Sequence, residues 1–120
     1  MSTHYELTNS FRYTVPEAPK NVTGHNVSST SIRVLWNPVP TERVHGLLRG
    51  YNISYMSQES HDNVWLDQTV NANTTWFIIK DLKKYTPYLV QVYGFNRREE
   101  GLPSKAIIVW TDEDGEKIKC

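Results

Sequence analysis

Apolar and polar residues alternate along most of the middle of this chain, and that alternation predicts strands. In SIRVLW (31–36), Ile32, Val34 and Trp36 share one face, and the run stops at NPVP, where prolines cannot continue a ladder. RGYNISYMS (49–57) aligns Tyr51, Ile53 and Tyr55, with Asn52 on the opposite side. NVWLDQTV (63–70) carries a weaker strand pattern, and TTWFIIKDL (74–82) puts Phe77 and Ile79 on one face. From Tyr88 onward, Tyr88, Val90 and Val92 face one way while Leu89, Gln91 and Tyr93 face the other. SKAIIVWT (104–111) places Ile107 and Val109 inward. With an opening strand near PKNVTG (19–24), the count comes to about seven short strands. The expected fold class is all-β, a seven-stranded antiparallel sandwich.

The start of the sixth strand narrows this reading. Tyr88 occupies its first inward position, six residues after Leu82, which closes the previous run. In sandwiches of the immunoglobulin type, a tyrosine there turns its hydroxyl back to upstream backbone at a corner. Tyr88 is therefore expected to donate a hydrogen bond to upstream main chain, with Leu82 capping the core. Immunoglobulin domains also pack a third-strand tryptophan against a disulfide. This chain has no cysteine pair, and its tryptophan, Trp36, ends the second strand.

Taken together, PEAPKNV, TSIRVLWNP with Trp36, GYNISY with Tyr51, the LKKYTPY corner and FNRREEGLPS resemble the fibronectin type III domain over residues 15 to 112. The finer likeness is to the tandem repeats of neural immunoglobulin-superfamily cell adhesion molecules. One departure is Lys83-Lys84-Tyr85, standing where the family usually has a proline-containing turn; it leaves the corner residues in place. The resemblance implies an immunoglobulin-like sandwich with Trp36, Tyr51, Leu82 and Tyr88 as structural core. It also implies a module on the extracellular side of the plasma membrane, within a larger, membrane-anchored cell-surface protein. Residues 1–14 are then a leader or the end of a preceding repeat, 15–112 the domain, and 113–120 a linker.

Composition excludes several alternatives. Thirteen basic and thirteen acidic residues cancel, so no net field draws the chain to nucleic acid or anionic lipid. No run approaches the roughly 18 apolar residues that span a bilayer, and MSTHYELTNS lacks the apolar middle of a secretion signal. The chain is expected to be a soluble piece of something longer. Its one cysteine, Cys120, is terminal and reads as a boundary thiol, not a nucleophile.

No enzyme is expected, and no cofactor or metal. His4, His25, His45 and His61 are scattered without metal-ligand spacing, and the six glycines form no phosphate loop. Glu99-Glu100 and Asp112-Glu113-Asp114 read as solvated charge clusters, and DEDG lacks the rest of a calcium loop. The loop NRREEGLPS contains no Arg-Gly-Asp tripeptide, and no WSxWS motif precedes the last strand. Arg97-Arg98 beside Glu99-Glu100 reads first as a self-neutralising hairpin tip.

Asn-X-Ser/Thr occurs at Asn21, Asn26, Asn52 and Asn73. Nine asparagines and 20 serines or threonines in 120 residues would give one or two such triplets by chance, so four is an excess. All four are candidate glycosylation sites. The other surface feature is apolar. Leu89, Tyr93 and Phe95 face outward on the sixth strand, and Ile108 and Trp110 on the seventh, which should lie beside it. Leu89, Tyr93, Ile108 and Trp110 are the candidate partner-binding residues, with a protein, including another cell-surface adhesion molecule, as the expected partner. Leu35, Trp76 and Ile78 form a second outward cluster. The expected function is a protein–protein interaction and spacer module of an adhesion or recognition receptor. The competing reading is a purely structural linker repeat of a receptor tyrosine phosphatase or an extracellular matrix protein.

Overall fold

The computed structural model describes residues 15–40 and 47–112. The expected leader, most of the loop after Pro40, the C-terminal linker with Cys120, His4 and His45 lie outside the described residues. Seven strands form in chain order: β1 (Thr23–Ser28), β2 (Ser31–Leu35), β3 (Gly50–Ser57), β4 (Leu66–Asn71), β5 (Trp76–Ile79), β6 (Pro87–Phe95) and β7 (Ile107–Trp110). They make two antiparallel sheets, β1-β2-β5 and β4-β3-β6-β7, packed face to face. The sandwich expected from period-two alternation is the one observed.

Two strand boundaries differ from expectation. β1 begins at Thr23, not within PKN, because Pro19 has no N–H and Asn21 adopts a left-handed φ of 54° that turns the chain. β4 begins at Leu66, three residues late, because Asn63 is also left-handed (φ 50°).

The core is built from the faces that the alternation assigns. Ile32, Val34 and Trp36 meet Tyr51, Ile53 and Tyr55, with Val39, Leu48, Ile79, Leu82, Tyr88, Val90, Val92 and Val109 completing the cluster. Phe77 and Ile107 face inward but are only half-buried at its margin. Trp36 is 4% exposed and packs edge-to-face on Tyr51, ring centroids 5.3 Å apart. Tyr51 is fully buried, and its hydroxyl accepts the N–H of Val39 at 2.9 Å, which ties the Pro38–Pro40 loop to the core.

Tyr88 makes its bond to upstream main chain in the opposite sense to that expected. The Lys83 N–H donates to the Tyr88 hydroxyl, 2.9 Å away. Left-handed Asp81 (φ 60°) and Tyr85 (φ 43°) bracket the corner and set its main-chain directions. Leu82 is itself pinned by its N–H to the Thr30 carbonyl, 2.9 Å, so the corner joins both sheets.

The two seams between the sheets are unlike. At one, β1 lies against β7: a Cβ on Gly24 would come within 2.6 Å of Val109 Cγ2, and the Asn26 side-chain amide donates to the Trp110 carbonyl at 2.9 Å. That seam is closed. At the other, β4 and β5 stand apart and leave a groove of about 1020 Å³.

Candidate interaction surfaces

The outer face of β6 and β7 carries the candidate partner-binding residues, and its register decides which of them meet. Leu89 pairs directly with Ile108, and Pro87 with Trp110. Ile108 is 55% exposed and Trp110 47% exposed, while Leu89 is half-buried beneath them. Tyr85, 58% exposed, joins this cluster with its ring centroid 5.3 Å from that of Trp110. The expected turn residue is thus part of the surface. No sequence signal pointed to Tyr85, because its approach to Trp110 depends on its positive φ and on the Pro87–Trp110 pairing.

Tyr93 sits apart from that cluster. It pairs with Asn52, four residues along β6 from Leu89, which is about 13 Å at a strand's rise. It is half-buried, and its hydroxyl lies 3.2 Å from the Ser54 hydroxyl. The four residues therefore form a main cluster of Leu89, Ile108 and Trp110 and a separate polar-edged site at Tyr93, with Gln91 between them. On the other sheet, Leu35 pairs with Trp76, and Arg33 with Ile78. Trp76 is half-exposed, but Arg33 breaks the apolar continuity.

The hairpin tip is held by the Asn96 side chain. The Asn96 Oδ1 accepts the N–H groups of Arg98 (2.8 Å) and Glu99 (3.0 Å). Glu100 reaches back to β3, where its carboxylate accepts from the Asn52 amide at 2.8 Å.

The four glycosylation triplets fall into two groups. Asn21 is exposed in the turn before β1, and Asn73 is exposed in the β4–β5 turn. Asn26 is exposed, but its amide nitrogen is spent on the Trp110 carbonyl. Asn52 is half-buried, donating to Glu100 and accepting from the Thr69 hydroxyl at 2.6 Å.

The groove between β4 and β5 was not foreseen from the sequence. Leu66, Gln68, Val70 and Phe77 line it with the Tyr55 and Tyr88 rings. Asp62 lies at one end, and its carboxyl is held below the usual carboxylate range chiefly by a hydrogen bond from the Ser60 hydroxyl. It stays ionised at neutral pH and is no proton donor. Among the described residues, no group of three or more His, Cys, Asp or Glu is placed to hold a metal ion.

A two-sheet sandwich with a tyrosine at the β5–β6 corner and a tryptophan at the end of β2 defines an immunoglobulin-like module. The Fibronectin type III domain model matches residues 17–110, and the chain belongs to that family. It is 36% identical over 105 residues to Protein sidekick-1 of Gallus gallus, covering 86% of this chain and 5% of that protein. It is 35% identical over 97 residues to Neural cell adhesion molecule L1 of Homo sapiens, covering 75% of this chain and 8% of that one. Phosphatidylinositol phosphatase PTPRQ of Rattus norvegicus and Putative receptor-type tyrosine-protein phosphatase mosPTP-1 of Aedes aegypti are among the other relatives. The FN1–FN3 domains of chicken CNTN1 superimpose with a TM-score of 0.73 at 27% identity, over 80% of this chain and 31% of theirs. The chain thus spans a small fraction of the curated relatives it matches.

Proposed function

We propose that this chain is an extracellular interaction and spacer repeat of a cell-surface adhesion or recognition receptor, with no chemistry of its own. The observation that carries this reading is the Tyr85, Ile108 and Trp110 cluster over Leu89. Two exposed aromatic rings and an aliphatic side chain stand together on a sheet face where polar residues would serve solubility better. Aromatic anchors in a desolvated patch supply most of the binding energy at protein interfaces. The match to a named cell adhesion molecule supports the same setting. Among the described residues no helix is long and apolar enough to cross a membrane.

Binding of the multimerised domain to adhesion receptors on cells tests the proposal, since single repeats gain avidity when linked. Trp110→Ser is expected to weaken binding more than tenfold, roughly 1.4 kcal/mol, and Tyr93→Ser to weaken it less. Folding of both variants is checked by circular dichroism. Unchanged binding in Trp110→Ser sinks this assignment of the partner face.

The extracellular setting has its own test. Secreted from mammalian cells behind a signal peptide, the domain should carry added mass that a glycan-cleaving amidase removes. Asn21→Gln and Asn73→Gln should each reduce that mass, because their side chains lie in exposed turns. Asn26→Gln and Asn52→Gln should reduce it less, because each amide nitrogen already donates a hydrogen bond in the folded domain. An unmodified, folded, secreted product counts against the setting.

A further inference from the structure

The open seam exposes a strand edge whose free hydrogen-bonding groups can be assigned. The Gln58 N–H donates to the Pro87 carbonyl at 2.9 Å, in register with the β3–β6 ladder. Main-chain groups alternate sides along an antiparallel strand. Asn52, Ser54 and Met56 therefore point theirs toward β6, while Tyr51, Ile53 and Tyr55 point toward β4. Their β4 partners are Val70, Gln68 and Leu66, which point back. Asp67 and Thr69 are left with both N–H and C=O aimed away from the sheet.

This edge lacks the usual protections. β4 contains no proline, lysine or arginine, and its register with β3 runs without a bulge. Its one charge, Asp67, is drawn onto the sheet's outer face by a hydrogen bond from the Ser54 hydroxyl. Leu66 faces the interior side of the sheet, yet remains 53% exposed, because among the described residues no strand covers the seam. β1 and β7, by contrast, cover one another.

We propose that β4 is a homotypic docking edge, pairing antiparallel with β4 of a second copy across a two-fold axis at Gln68 to make one continuous eight-stranded sheet. One register satisfies every constraint. Asp67 exchanges both hydrogen bonds with Thr69 of the second copy, and Thr69 with its Asp67. Leu66 then lies against Val70 of the second copy on the interior side, and Gln68 faces its own symmetry mate. A slip of two residues one way sets Asp67 opposite Asp67, a like-charge contact. A slip the other way requires the Asn71 carbonyl, which already accepts the Thr74 N–H at 3.1 Å. The contact covers on the order of 500 Å² per partner, below the roughly 800 Å² of a standard stable interface. The dimer is accordingly weak in solution and strengthened where copies are held close together.

The test uses the unglycosylated 120-residue chain carrying Cys120→Ser, so that no terminal disulfide contributes. Sedimentation from about 10 µM to about 1 mM spans the weak range and should show a reversible dimer. Thr69→Pro removes the edge donor without touching the β3 ladder, and Leu66→Glu charges the interior-facing contact. Each should weaken dimerisation at least tenfold. Facing residues of a non-hydrogen-bonded pair lie about 4.5 Å apart at Cα, within disulfide reach. Gln68→Cys should therefore oxidise to a covalent dimer far faster than Lys105→Cys on the distant, exposed side. A monomer at the highest concentration overturns the proposal. So does a dimer indifferent to both variants, or equal oxidation at the two cysteine positions. If Thr69→Pro fails to fold, Leu66→Glu and the cysteine comparison decide. None of these variants touches Trp110, so failure here leaves the partner-face reading standing.

Discussion

Trp36→Ala is expected to lower the unfolding free energy by about 3 to 5 kcal/mol, the range for emptying a large aromatic site in a packed core. Trp36 is 4% exposed and packs edge-to-face on Tyr51, which in turn holds the Val39 N–H. Removing the indole therefore leaves a cavity and also frees the ring that anchors the Pro38–Pro40 loop. Among the described residues the buried indole Nε1 has no hydrogen-bond partner to lose. The cost should be that of packing alone. Urea denaturation of parent and variant measures it, and a loss under about 1 kcal/mol would show that Trp36 is not central to the core. Trp36→Phe should recover much of the loss, since the aromatic contact survives without the larger ring.

Gly50→Ala is the second large effect, expected at about 3 kcal/mol, the upper part of the range for overpacking. A Cβ there would lie 2.3 Å from the Val70 carbonyl oxygen and 2.9 Å from Phe95 Cζ. Val70 is paired with Tyr51, so its carbonyl belongs to the β3–β4 ladder and cannot retreat without loosening it. Gly94→Ala provides the comparison. Its nearest obstacle is Leu48 Cδ1 at 2.9 Å, the end of a flexible side chain that can turn aside. Thermal melting should show a much smaller shift for Gly94→Ala. Equal shifts would mean that the strand tolerates the added methyl at both places.

Particular residues separate what could be read from the chain and what could not. The faces of β2, β3 and β6 were legible because Ile32, Val34, Tyr51, Ile53, Val90 and Val92 recur at period two between polar neighbours. The corner was legible from Leu82 and Tyr88 together, although the donor and acceptor roles at its hydrogen bond were not. A hydroxyl can serve as either, and only the direction of the Lys83 N–H selects one. The four-residue partner surface was legible as a face, but not as a distance. Parity put Tyr93 beside Leu89 and Trp110, whereas strand length carries it away from them.

Alternating side chains, turn residues and the corner tyrosine are local signals, written over a few consecutive positions, and they determined the strand count, the buried faces and the family of this protein. Tertiary structure alone decided which edges close. Gly24 against Val109, Asn26 on the Trp110 carbonyl, Glu100 on Asn52 and Tyr85 beside Trp110 join residues remote along the chain. Such contacts depend on the stagger and separation of two sheets, and that spacing is a property of the packed core as a whole. The same packing leaves β4 uncovered, because the short turn from Asn71 to Thr74 sends the chain directly to the other sheet.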